Sequence, residues 1–429
     1  VNGRIAVIGG GWAGLACAVE LTAAGRQVCV FEAARQLGGR ARRVMVHGVP
    51  LDNGQHILIG AYHETLRLMR LAGADPDTLL ARSPLELNHP CGGFRLRLPR
   101  LPAPFHLAIG LMTARGASLR EKFSAARFMR TLQRDDYRLQ DDISVAELLD
   151  RHSQTGNIRR FMWEPLCLAA LNTPSASASA QLFANVLRDS LGGKREDTDL
   201  LLPAADLGRV FPDAARNCVE SGGGEVRLSA RVDTLHPPLT IGDETFAHVA
   251  IATAPQHASA LLHAFPETEE IARQLDSYTF EPIGTVYLGY PVALRFPFPM
   301  LGLETPKPGR IGQWAFERSD QEGGQGIAAC VLSGEGLWDT LDNDSLAATL
   351  HRELQDTLGH TLPAPLWQQV IRERRATFSC CPGLFRPTPD TPVRGLWLAG
   401  DYVCADYPAT LEGAVRSGVT VARRILAQP

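Results

Sequence analysis

Residues 4–33 read RIAVIGGGWAGLACAVELTAAGRQVCVFEA. RIAVI, from Arg4 to Ile8, is a short apolar run of the kind that forms a buried parallel strand. Gly9, Gly11 and Gly14 then fit the spacing G-x-G-x-x-G, with Ala13 inside it. The stretch that follows predicts a helix capped at Gly25, and a second apolar run, QVCVFEA, ends at Glu32. A strand, a glycine turn, a helix, a second strand and a terminal acid are the setting in which this spacing is informative. Gly9 permits the tight turn, Gly11 keeps a side chain away from a pyrophosphate, and Gly14 lets helix and strand pack closely. The helix start offers unpaired N–H groups and a positive dipole end to phosphates. The Glu32 carboxylate can accept both hydroxyls of an adenosine ribose. The fold class is therefore α/β, with a Rossmann-type dinucleotide-binding domain.

Working outward, QLGGRA places Gly38, Gly39 and Arg40 one short loop after Glu32. A second glycine turn with a fixed cation suits the pyrophosphate of an extended cofactor. At the far end, GLWLAGD sets an apolar strand before Gly400 and Asp401, and LEGAVRSGVTVARRIL predicts a helix beginning at Glu412, Gly413 and Ala414. These patterns resemble the flavin amine oxidase and carotenoid desaturase superfamily, which implies FAD as cofactor. The resemblance implies that Gly400 and Asp401 meet the ribityl–pyrophosphate region and that the Glu412–Ala414 backbone faces the pyrimidine end of the flavin. It also passes Val232, in SGGGEVRLSARVDTL, beside the adenine. It brings Thr253, in FAHVAIATAP, near the cofactor. Both segments read as successive strands. The FAD domain is then discontinuous, from 1–85, 205–258 and 385–429, with a mixed α+β substrate domain from 86–204 and 259–384.

The bulk numbers are ordinary for a soluble globular protein: 429 residues, 45% hydrophobic and 21% charged. That length suggests two or three domains. A net charge of −3 gives no electrostatic case for nucleic acid. Lysine occurs only at Lys122, Lys194 and Lys307. The nine cysteines have no disulfide-framework or zinc spacing, and no metal is expected. They read mostly as small buried hydrophobes of a reducing compartment. The chain opens on Val1, and a strand beginning at Arg4 leaves no visible secretory leader. No apolar run approaches the roughly 20 residues of a membrane span. The expected location is cytoplasmic, with peripheral contact at the inner face of the membrane.

The loop LDNGQHILIGAY, from Leu51 to Tyr62, sits where the superfamily packs a loop against the flavin ring. Asp52 and Gly54 suit a turn there, and His56 is its one group that titrates near neutrality. This loop, RFMWEPLCLAALNTP and NVLRDSLG resemble the squalene-associated subgroup, the bacterial hydroxysqualene dehydroxylases of hopanoid pathways. That resemblance implies reductive loss of an allylic hydroxyl from a polyisoprenoid, and association with the synthases that act before it. Carotenoid desaturation is the alternative, and amine oxidation a further one. Against amines, Thr410 stands where a cage tyrosine belongs, although Tyr407 is near, and the strand PIGTVYLGY has no lysine. His56, Asp406 and Tyr407 are the candidates for the acid that assists water's departure, and each also has a purely structural reading. FHLAIGLM, from Phe105 to Met112, and the helix around FSAARFM are expected to line the substrate channel mouth or touch a bilayer, with plain core helices as the other reading.

Overall fold

Two four-residue strands, Ile5–Ile8 and Val28–Phe31, are buried along their whole length and flank the helix Trp12–Ala23. They run parallel, Ile5 opposite Val28 and Ile8 opposite Phe31. The computed structural model describes residues 3–303, 309–318 and 325–428. The first sheet has five parallel strands, in the order Glu225–Arg227, Val28–Phe31, Ile5–Ile8, His248–Ile251 and Leu396–Leu398. Layers on both faces explain why three of these strands, Val28–Phe31, Ile5–Ile8 and Leu396–Leu398, are apolar throughout. Gly25 takes φ +75°, one residue beyond the last turn of the first helix, as a left-handed C-terminal stop. The closing helix Leu411–Leu426 crosses the first so tightly that a Cβ on Gly418 would lie 2.1 Å from the Ala13 carbonyl oxygen.

Two expectations need correction. SGGGEVRLSARVDTL yields only the strand Glu225–Arg227. Ser229 adopts φ +53° and donates its N–H to Ala34, while Ala230 donates to Glu32. The chain thus turns across the end of Val28–Phe31 instead of extending. The boundary expected at 204/205 also misplaces a strand. Leu200–Pro203 pairs antiparallel with Leu58–Ile59 and with Leu80–Ser83, so it belongs with the first portion of the chain.

The second large sheet is antiparallel, in the order Leu301–Gly302, Trp314–Glu317, Gly326–Ser333, Phe280–Tyr290 and Trp367–Phe378. Its long strand shows the period of two. Val286, Leu288 and Tyr290 join the cluster under the helix Asn343–Leu358, whereas Tyr287 faces the main core. A helical layer between residues 105 and 191 buries Phe128, Phe161, Trp163 and Phe183. Nine cysteines are free. Cys17, Cys29, Cys167, Cys330 and Cys380 are buried, while Cys91 is exposed and Cys218, Cys381 and Cys404 are half-buried.

Candidate active site

The glycines of the first turn divide their tasks as their spacing suggests. Gly9 holds φ +111°, and a Cβ there would meet the Ala252 carbonyl oxygen at 2.7 Å. A Cβ on Gly14 would lie 1.9 Å from the Gly9 carbonyl oxygen, so Gly14 serves packing. Gly11 heads the helix at φ −77°, with nothing nearer to an added Cβ than Gly39 Cα at 3.9 Å. No side chain caps this helix start, so its first N–H groups are open to an anion. Gly38 and Gly39 follow at φ +107° and +61°, and Gly38 donates its N–H to Gly10 at 2.9 Å. Glu32 is fixed at the strand end by accepting the N–H groups of Gly10 and Ala34, each at 2.7 Å. Arg40 reaches across to Asp401 and to the carbonyl of Ala376, both at 2.7 Å.

Apart from Gly10 and Gly14, these groups line one continuous cavity of about 820 Å³, within the roughly 300–1,000 Å³ common for cofactor and ligand sites. Gly9, Gly11, Ala13, Glu32, Gly39, Arg40 and Val232 are in its wall, as are Gly54, His56, Thr253, Gly400, Asp401 and Ala414. The residues fit an FAD. The wall offers an acid at a strand end, a bare helix N-terminus and a glycine-rich approach. It also carries buried side-chain oxygens with no hydrogen-bond partner among the described residues, on Thr253, Gln55 and Gln256. Glu32 and Val232 would take the adenosine end, Gly11, Ala13 and Arg40 the pyrophosphate, and Gly54, Thr410 and Ala414 the ring end.

The middle loop departs from its reading. Asp52 is no turn residue; it ends the strand Val49–Asp52, fully buried. Its carboxylate accepts the Leu207 N–H at 2.7 Å and pairs with Arg318 at 3.2 Å. Burial pushes its pKa up to about 6, against the lowering effect of Arg318. His56 lines the cavity, but burial lowers its pKa and its Nδ1 lies 2.7 Å from the Gly54 carbonyl. A carbonyl only accepts, so Nδ1 carries the proton of a neutral ring, and Nε2 is left as an acceptor. That geometry does not suit a proton donor.

Five expected site residues lie outside the cavity wall. Gly14 packs against Gly9, as above. Glu412 is fully buried and turned away, accepting the N–H groups of Glu64 and Thr65, the Thr65 hydroxyl and Arg416 Nε. Its side chain caps the helix His63–Leu71 and does not face the cavity. Gly413 packs against Pro408 and Tyr407. Asp406 is exposed, and its backbone oxygen accepts from Asn185. Tyr407 donates its hydroxyl to Asp189 at 2.5 Å and lies under the Arg416 guanidinium. Neither is placed to serve as the acid. Helix Phe105–Thr113 and helix Leu119–Arg134 also contribute nothing to the wall, so neither lines the cavity.

Other wall residues escaped the sequence reading. Trp314, Phe316, Val331, Ser333 and Ile283 form the side contributed by the antiparallel sheet. They come together because Trp314 pairs with Val331 and Ile283 with Ser333. Alternation along each strand was the available signal, but register between strands is not written in any one of them. Tyr62 also lines the cavity, beside Thr410 and Leu411. Burial and the Glu412 carboxylate raise its pKa, so the phenol keeps its proton. Thr410 caps the closing helix by accepting the Gly413 N–H at 3.1 Å, and no aromatic ring stands at its position. Neither Lys122 nor Lys194 lines the cavity, and Lys307 lies outside the described residues.

The chain is 27% identical over 440 residues to the hydroxysqualene dehydroxylase of Sinorhizobium fredii, covering 97% of this chain and 96% of that protein. It is 24% identical over 489 residues to a probable zeta-carotene desaturase of Synechococcus elongatus, covering 99% and 98%. An oxidoreductase from Methanosarcina mazei superposes with a TM-score of 0.73 at 15% identity, covering 98% of this chain and 100% of that one, a likeness of fold. A family described as flavin containing amine oxidoreductase matches residues 12–426. The chain therefore belongs to the flavin-containing amine oxidoreductases and is an FAD-dependent oxidoreductase.

Proposed function

We propose that the chain removes the allylic hydroxyl of hydroxysqualene reductively, giving squalene in a hopanoid-type isoprenoid pathway. The observation that carries this reading is the near-full-length similarity to a hydroxysqualene dehydroxylase. The site is compatible with it. The apolar part of the wall includes Ile57, Ala169, Ala170, Ile283, Trp314 and Phe316, which suits a hydrocarbon. Bound flavin in its reduced form supplies a hydride and is oxidised by two electrons. In the substrate the C–O bond breaks, the hydroxyl takes up a proton from solvent and leaves as water, and the hydride forms the new C–H bond. The chain's part is to orient the allylic carbon and exclude water, so that a carbocation is not trapped as alcohol. His56 Nε2 and the Tyr62 hydroxyl are among the polar groups of the middle loop that line the cavity and can hold the departing oxygen, with Asn53 and Gln55 beside them. The 24% identity to a zeta-carotene desaturase supports a second reading, in which oxidised flavin introduces double bonds.

The test is anaerobic incubation of the photoreduced holoenzyme with hydroxysqualene, following flavin absorbance and product mass. Squalene formed in step with flavin reoxidation is the expected result. Unchanged hydroxysqualene, with double bonds introduced into zeta-carotene by the oxidised enzyme, would establish the second reading. Peroxide formed from putrescine or benzylamine in air would reject both.

A further inference from the structure

The helix Phe105–Thr113 is apolar on two faces. His106, Leu107, Gly110 and Leu111 are buried beneath it. On the opposite side Phe105 is 62% exposed, Ile109 42% and Met112 41%. Spacing of four and three residues puts these three on one stripe. A helix that is apolar all round normally has something against both sides. Lys122, in the first turns of the helix Leu119–Arg134, donates to the Met112 carbonyl at 2.9 Å and holds the two helices together. Next to that contact Leu119 and Phe123 stand 63% and 62% exposed.

The charge around this stripe is one-sided. Residues 97–134 contain eight basic side chains and one acid, Glu121, in a chain whose net charge is −3. Glu121 is occupied within the fold, receiving the N–H and hydroxyl of Ser118 and the N–H of Asn157. Arg100, Arg115, Arg120, Arg127 and Arg130 are exposed and form no salt bridge among the described residues. Exposed apolar side chains bordered by unpaired guanidinium groups match the layering of an acyl region beneath anionic headgroups. No helix among the described residues is long and apolar enough to cross a membrane, so contact would be from one side.

We infer that the face formed by Phe105, Ile109, Met112, Leu119 and Phe123, bordered by these arginines, docks on an anionic lipid bilayer. This inference stands apart from the proposed reaction, because none of these residues lines the cavity.

The experiment floats the purified holoprotein with vesicles of phosphatidylcholine alone or mixed with phosphatidylglycerol. Binding to the anionic vesicles should exceed binding to the neutral ones about ten-fold or more, and should fall in high salt. A variant combining Phe105→Ser, Ile109→Ser and Phe123→Ser should lose binding while keeping its flavin spectrum. One combining Arg100→Gln, Arg115→Gln, Arg120→Gln and Arg127→Gln should lose the anionic preference. If the triple variant fails to retain flavin, Phe105→Ser and Phe123→Ser alone provide the reading, each weakening flotation. Wild-type protein that does not float, or serine variants that float as well as wild type, would overturn the inference. So would light scattering that finds a dimer in the wild type and a monomer in the serine variant, with no flotation by either. That result would make the face a contact between copies.

Discussion

Arg40 donates Nη2 to the Asp401 carboxylate at 2.7 Å across 361 positions of sequence. The same guanidinium donates to Ala376, at the end of the long strand Trp367–Phe378. One side chain thus joins the early glycine turn, the antiparallel sheet and the segment after the last parallel strand. Asp401→Ala should weaken both folding and flavin retention. The Arg40 side chain is 34% exposed, so screening holds the stability loss to about 1–2 kcal/mol, below that of a fully buried pair. Urea unfolding and flavin absorbance of the purified variant measure the two effects. Wild-type values in both would show that this pair holds nothing.

Gly11 and Gly14 separate binding from folding. Gly11→Val places a branched side chain in open cavity at an ordinary φ, so the variant should fold, with a native far-ultraviolet spectrum, and purify colourless. Gly14→Val drives a side chain into the Gly9 carbonyl and should give insoluble protein. A fully yellow Gly11→Val protein would mean that the pyrophosphate lies elsewhere.

Glu412 distinguishes two assignments of one residue. As a buried cap on the helix His63–Leu71 it holds four donors, so Glu412→Ala should cost about 2–4 kcal/mol in chemical denaturation. Glu412→Gln, which keeps one acceptor oxygen, should lose less. Full stability of Glu412→Ala would show that this carboxylate is not what holds the start of the helix His63–Leu71.

His89 makes stability depend on pH. It is buried among Phe94, Phe161 and Trp314, and burial pushes its pKa from 6.5 down to about 4. Above pH 6.5 the ring is neutral in both folded and unfolded chains, and its full contribution is present. From 6.5 down to about 4 the unfolded chain takes up a proton that the folded chain refuses, so stability falls as the solution is acidified. The loss approaches about 3 kcal/mol. His89→Phe should flatten this limb when unfolding free energy is measured from pH 4.5 to 7.5. An unchanged slope would assign the acid sensitivity to other groups.

What the residues disclosed in advance follows from how local each constraint is. Gly9, Gly11, Gly14 and Glu32 act within thirty positions of one another, through turn, helix start and strand end, so their spacing carries their geometry. Glu412 sits in an equally legible motif, yet its side chain answers to Glu64 and Thr65, which nothing near it in sequence announces. Asp52 reads as a turn former by composition, and burial against Leu207 and Arg318 overrides that preference. Trp314 and Phe316 reach the cavity through strand register, which depends on two segments at once. The exposed stripe at Phe105 and Ile109 was visible as an apolar run, but only the packing of His106 and Leu107 reveals which side is left uncovered.

The interleaved order of the parallel sheet has a consequence for synthesis. Its central strand, Ile5–Ile8, is synthesised first, but its neighbour His248–Ile251 and the outer strand Leu396–Leu398 follow only hundreds of residues later. Arg40 therefore waits for Asp401, and the first helix waits for Gly418 to close over Ala13. A nascent chain carries the whole glycine turn through most of translation without a surface able to retain flavin. Yellow colour in a cell extract consequently reports chains translated beyond the closing helix, and a chain stopped short of Leu396 should be colourless and open to proteolysis.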